Sequence, residues 1–113
     1  MWNCLGLEII MSKLKLDQKV VEDYIAHLTK LSEDYGLTGS YKYTYQVGSS
    51  YIKIVRESNG QRMVHSFLAN KVTDKFALGD ILKAASWKQP AKSNPRGNVL
   101  EGTLWRVRWM GVQ

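Results

Sequence analysis

Asn59-Gly60 separates two runs, residues 51–56 and 61–69, that are rich in β-branched and aromatic side chains. Asn-Gly tolerates positive φ at both central positions of a type I′ turn, whose twist matches that of paired strands, so the dipeptide predicts a hairpin. With a two-residue loop, Val55 faces Val64, Glu57 faces Arg62 and Ile54 faces His65. Ile52, Ile54, Met63 and Phe67 then share one face, while Tyr51, Val55, Val64 and Leu68 share the other. Both faces are apolar. A hairpin with one wet face would alternate with polar residues, so this one must be covered on both sides or closed on itself.

The rest of the chain supplies only part of that cover. Val20, Val21, Tyr24, Ile25, Leu28, Leu31 and Tyr35 recur at helical spacing, which predicts a helix over 17–35 with Asp17 as N-cap and Gly36 as a left-handed C-terminal cap. Tyr41, Tyr43, Tyr45 and Val47 alternate as on a strand and are expected to pack under that helix. After a turn-rich loop from Asn70 to Asp80, a fourth strand is expected from Ile81 to about Trp87. Pro90 and Pro95 interrupt regular structure, and Thr103–Trp109 reads as a fifth strand. Its alternation sends Trp105, Val107 and Trp109 to a core face and Leu104, Arg106 and Arg108 to the opposite one. The expected fold is α+β: an N-terminal helix followed by a strongly curved five-stranded antiparallel sheet. Closure into a small barrel is one way to cover the second apolar face. Residues 13–113 are expected to form this single domain, with 1–12 an N-terminal extension, since Met11-Ser12-Lys13 resembles a start.

Charge is distributed unevenly. Residues 83–113 hold Lys83, Lys88, Lys92, Arg96, Arg106 and Arg108 against Glu101, a net +5 out of +6 for the whole chain. Residues 1–70 are nearly balanced, with eight bases against seven acids. Such a concentration suggests an anionic partner, and nucleic acid is the commonest partner of small basic domains. Cations bind phosphates through a salt-sensitive, sequence-independent term, and aromatic faces stack on unpaired bases. Trp87 lies between Lys83 and Lys88 in sequence; its indole either packs on Pro90 and fixes the loop or, with Lys88, Lys92 and Arg96, composes a clamp for a nucleic-acid strand. The candidate nucleic-acid-binding residues are therefore Lys83, Trp87, Lys88, Lys92, Arg96, Arg106 and Arg108.

Two resemblances bear on this segment. A helix followed by five strands is the element order of Sm-like small barrels, and Arg96-Gly97-Asn98-Val99 is similar to the Arg-Gly element by which such proteins hold a base and its phosphate. More broadly, Asp80-Ile-Leu-Lys-Ala-Ala-Ser-Trp-Lys-Gln-Pro-Ala-Lys92 with Arg96-Gly-Asn98, preceded by His65-Ser-Phe67, resembles a motif of small uncharacterised proteins of tailed bacteriophages. That likeness spans about residues 60–100 and implies a phage-type accessory protein. It carries no settled activity with it.

Other chemistry is poorly supplied. Asp74, Asp80 and Glu101 are the only acids after residue 70, and His65 is expected as a satisfied or half-exposed sheet residue with Asp80 capping a turn, so catalysis is not expected. No Gly-x-x-x-x-Gly-Lys loop occurs. Cys4 is the single cysteine, and His27 and His65 fall on different elements, so neither a metal nor another cofactor is expected. A reducing, cytoplasmic location follows from the cysteine count, and no apolar run is long enough to span a bilayer. The expected function is nucleic-acid binding, to RNA or single-stranded DNA, without catalysis. The alternative is an oligomeric structural or protein-interaction module, because the doubly apolar hairpin can be covered by another subunit and closed symmetry is usual among soluble oligomers.

Overall fold

A computed structural model describes residues 15–91 and 94–112. The expected extension over 1–12 and the side chain of Lys92 lie outside the described residues. Among those described, one helix, α1 (Gln18–Asp34), precedes four strands: β1 (Lys42–Val47), β2 (Tyr51–Ser58), β3 (Gln61–Ala69) and β4 (Ile81–Leu82). The strands form an antiparallel meander in the order β1-β2-β3-β4.

Local chemistry sets the ends of α1. The Asp17 carboxylate accepts from the Lys19 amide at 2.9 Å, satisfying a donor that the first turn leaves open. At the other end Gly36 takes φ +89°, its amide reaching Glu33 O while Leu37 N reaches Ser32 O. This paired pattern is a Schellman cap, and it needs a residue without a Cβ penalty at the left-handed position. The hairpin turn is as expected, with Asn59 at φ 53° and Gly60 at φ 77°.

The register departs from the expected one in the middle of β3. Val55 pairs with Val64 and Glu57 with Arg62, but Ile54 pairs with Ser66 and Ile52 with Leu68. His65 is the extra residue of a bulge. One inserted residue exchanges the faces of everything beyond it. Leu68 therefore joins Ile52 and Ile54 toward α1, and Phe67 turns outward with Tyr51, the reverse of the sequence expectation.

Both faces are indeed covered, by different parts of one chain. On the inner face, Val21, Tyr24 and Leu28 of α1 pack with Tyr43, Ile52, Ile54, Leu68 and Ile81. Val107 and Val112 complete that layer. On the outer face, Phe67, Ala69, Leu82 and Phe76 form a second cluster with Tyr51, Val64 and Ala84. Each fully buried aliphatic side chain contributes about 1.5–3 kcal/mol from surface removed from water. Asn70, wholly buried, ties the layers at one end: its carboxamide donates to Gly48 O and accepts from Lys15 N and Leu16 N.

The observed sheet differs from the expected one in its closure, in its fourth strand and in the segment expected as a fifth. The sheet is open and has four strands among the described residues, so it does not close into a barrel. Strand β4 stops at Leu82, where the chain turns back on itself with Ala91 N donating to Lys83 O; residues 96–98 lie along the outer edge of β4, Ile81 N donating to Gly97 O and Arg96 N to Ile81 O. Residues 103–109 form turns instead of a fifth strand. Val107 N bonds Leu104 O, and Arg108 and Gly111 bond each other's backbone in a tight loop. Trp105, expected in the core, is 68% exposed, while Val107 is buried. These local bonds fold the segment onto itself across the inner layer.

Candidate functional site

The Trp87 loop is rigidly built. Ala91 N donates to Lys83 O at 2.7 Å, and Ala84 bridges Pro90. Ala85 N and Ser86 N both donate to Gln89 O, while the Ser86 hydroxyl accepts from Lys88 N and Gln89 N. These bonds hold Trp87 and Lys88 at the tip of a narrow turn. From there the indole reaches back over the outer face of the sheet. Lys53 Nζ lies 4.2 Å from its ring centre and the Arg62 guanidinium 5.5 Å. Such contacts contribute about 0.5–1 kcal/mol each at exposed sites. The register sets the Val55–Val64 pair between the rungs carrying these two cations.

Beside the indole is a cleft of about 310 Å³ between the β1–β2 turn and the loop. Lys53 and Lys88 line it together with Gln46, Ser50, Tyr51 and Phe67. Tyr51 and Phe67 meet edge to face at 6.2 Å. Lys53 and Arg62 thus meet an indole that is 40% exposed, and Lys88 lines the cleft beside it. The carboxylate nearest in register is Glu57, opposite Arg62, so the local balance remains positive.

The seven sequence candidates divide. Lys88 lines this cleft, Trp87 stands beside it over Lys53, and Lys83 is exposed at the base of the same loop. Arg96 is half-buried at the β4 edge, and its neighbours serve the fold. The Gly97 backbone packs so close to Thr103 that a Cβ would strike the Thr103 carbonyl oxygen. Asn98 donates to Leu78 O and to Asp80 Oδ1, and its own oxygen accepts from Leu100 N and Glu101 N. Asp80 also accepts from Ala77 N, the turn-capping role expected of it. Arg106 and Arg108 belong to the segment on the inner side. Arg106 stacks on Trp105 at 4.7 Å, so alternation does not separate these two, and Arg108 Nη1 donates to Trp105 O. Lys53 and Arg62, absent from the candidate set, are the cations that meet Trp87. The hairpin register already placed both on one face; which loop would cover them was not legible.

His65 makes a different kind of site. Its Nε2 lies 2.7 Å from Arg108 O, and a carbonyl only accepts, so Nε2 carries the proton. Nδ1 then accepts from the Ser66 hydroxyl at 2.8 Å, and Ser66 Oγ accepts from the Tyr24 phenol at 2.9 Å. Burial pushes the His65 pKa down to about 4, keeping it neutral, and pushes the Tyr24 phenol above its usual range. All three side chains are buried, so this serine–histidine pair joins helix, bulge and C-terminal segment without facing solvent. Among the described residues, no three His, Cys, Asp or Glu side chains gather as a metal site requires, and no helix is long and apolar enough to cross a membrane.

An open antiparallel meander with a helix on one side and a basic, aromatic loop on the other defines a small α+β domain. The chain belongs to DUF7717, a family of unknown function whose pattern matches residues 6–109, a span that contains the Trp87 loop and the C-terminal segment. No curated protein and no solved structure matches it.

Proposed function

We propose that this domain binds single-stranded nucleic acid, RNA or DNA, across the outer face of its sheet and without catalysis, as an accessory protein of the phage type. The observation that carries the reading is the Trp87 indole held against Lys53 and Arg62 beside a cleft that also contains Lys88. With Lys53 and Arg62 over its ring, the indole, 40% exposed, offers its remaining surface to an unpaired base and the two cations to the adjoining phosphates. Duplex bases are already stacked and cannot use that surface. On this reading Lys83, Trp87, Lys88, Lys53 and Arg62 form the footprint, Arg96 adds charge at the β4 edge, Lys92 is a candidate by sequence position alone, and Arg106 and Arg108 contribute only long-range attraction from the far side.

The test is a titration of mixed-sequence single-stranded DNA and RNA at several salt concentrations. Trp87→Ala is expected to weaken binding by about 1–3 kcal/mol, the usual value of one stacked base. Equal affinities for wild type, W87A and a K53Q/K88Q double variant would end the proposal.

A second reading, a homo-oligomeric interaction module, has its own observation. Tyr35, Trp105 and Met110 are 69%, 68% and 57% exposed, large apolar side chains of the kind that subunit contacts cover. Light scattering separates the two: a monomer that retains nucleic acid supports the first, an obligate oligomer that ignores it the second. With its single cysteine, either form suits a reducing compartment such as a host cytoplasm.

A further inference from the structure

Arg56 leaves β2 on the inner face, one rung from where Arg62 leaves β3 on the outer face. Its guanidinium lies 5.1 Å from the Tyr41 ring and 5.4 Å from the Trp109 ring, themselves 5.1 Å apart. Stacking fixes the plane of a guanidinium while leaving its in-plane N–H groups to donate. One of these, on Nη2, meets the thioether of Met63 at 3.2 Å. Sulfur of this type is a weak acceptor, readily displaced by an anionic oxygen. No carboxylate bonds Arg56 among the described residues.

The group opens into a cleft of about 240 Å³ at the tip of the β2–β3 hairpin, lined by Tyr41, Arg56, Ser58, Asn59, Gln61 and Met63. The lining comprises a guanidinium, a phenol, a hydroxyl, two carboxamides and a thioether. It contains no acid. Such a set repels cations and offers little to an apolar ligand, but it matches an oxyanion needing several donors around one fixed positive charge. The turn supports the arrangement, because Asn59 holds its positive φ as a non-glycine residue and so keeps a carboxamide at the rim.

We propose that the Arg56 cleft is a second ligand site, which binds a phosphate group as a free anion or as the terminal phosphate of a small molecule or strand. It is independent of the Trp87 footprint, which uses the other face of the sheet.

The experiment is an NMR titration of the full chain with inorganic phosphate, following Arg56 Nε–H and the side-chain amides of Asn59 and Gln61. A saturable shift of all three is expected, abolished in Arg56→Gln and weakened about tenfold in Arg56→Lys, which keeps the charge but loses the planar donor pair. Trp87→Ala is expected to leave it unchanged. A 5′-phosphorylated trinucleotide and its 5′-hydroxyl form distinguish the sources. Shifts requiring the 5′-phosphate assign a strand terminus; shifts with inorganic phosphate alone assign a small free anion, and both support the site. Should R56Q not fold, Asn59→Gly preserves the turn, removes one donor and is expected to weaken phosphate binding several-fold. No saturable shift in the wild type, or one unaltered by R56Q and N59G, overturns the proposal.

Discussion

His65 donates from Nε2 to the carbonyl oxygen of Arg108, 43 residues away, at 2.7 Å. His65 is the extra residue of the β3 bulge, and its imidazole lies edge-on to Tyr24 and Tyr43 of the inner layer, on the side where the C-terminal segment packs. The bond anchors an otherwise strandless C-terminal segment to the middle of the sheet. Tyr43 adds a second anchor, its hydroxyl donating to Trp109 O at 2.6 Å.

The burial of His65 makes stability depend on pH in a defined direction. Its folded-state pKa is lowered to about 4 from 6.5, chiefly by burial, with Arg56 acting in the same sense. Above pH 6.5 the imidazole is neutral in both states, and the contribution is complete. As pH falls from 6.5 to about 4 the unfolded chain takes up a proton that the folded chain refuses, so the contribution is lost, roughly 3 kcal/mol in all. Denaturant unfolding measured between pH 7 and 4 is expected to show this decline, and His65→Gln to flatten it. The same slope in H65Q would place the proton uptake elsewhere.

Gly97 predicts a steric failure. It sits at φ +149°, and a Cβ there would meet the Thr103 carbonyl, a backbone atom that cannot rotate away. Gly97→Ala is therefore expected to cost about 2–4 kcal/mol. Gly60→Ala, which shares a positive φ but has open space around it, should cost about 1 kcal/mol. Urea midpoints of the two variants provide the comparison, and equal losses would remove the argument from close approach.

What was legible in the sequence follows from the range over which each signal acts. The α1 caps, the Asn59-Gly60 turn and the inward tyrosines of β1 depend on neighbours a few residues away, and these expectations match the structure. The bulge did not show itself, because Phe67 and Leu68 are both apolar and either register buries one of them on each face. Trp105-Arg-Val-Arg-Trp109 has a strand's alternation, yet its backbone bonds close locally, Val107 N on Leu104 O and Arg108 with Gly111, and alternation alone does not register such turns. The basic segment was visible as composition. Its division between two sides of the sheet, and the pairing of Trp87 with Lys53 and Arg62, are properties of the tertiary path alone.

Asn98 offers a charge test of the 96–101 turn. Its carboxamide donates to Asp80 Oδ1 at 2.9 Å inside a nearly closed environment. Asn98→Asp replaces that donor with a second carboxylate, and two such groups at this separation cannot both ionise cheaply. The variant is expected to be destabilised by about 3 kcal/mol or more near neutrality and to recover as acid protonates one of the pair. Thermal melting from pH 7 to 4 reads this as a Tm gap to wild type that narrows with acidification. A constant gap would mean that shape, not charge, governs the turn.

The placement of the cations gives nucleic-acid binding a signature that net charge alone does not. If strands lie along the outer face, the phosphates are met by Lys53, Arg62 and Lys88, the three cations around Trp87 and its cleft. Each neutralised phosphate on a single strand steepens the fall of log K with log salt by about 0.7. Lys53→Gln, Arg62→Gln and Lys88→Gln should each reduce that slope by roughly one such step. Arg106→Gln and Arg108→Gln remove the same charge from the inner side, where Arg106 covers Trp105 and Arg108 caps a local carbonyl. They should lower affinity slightly while leaving the slope unchanged. Slopes that respond to all five substitutions alike would show a ligand attracted by overall charge, with no footprint at the Trp87 loop.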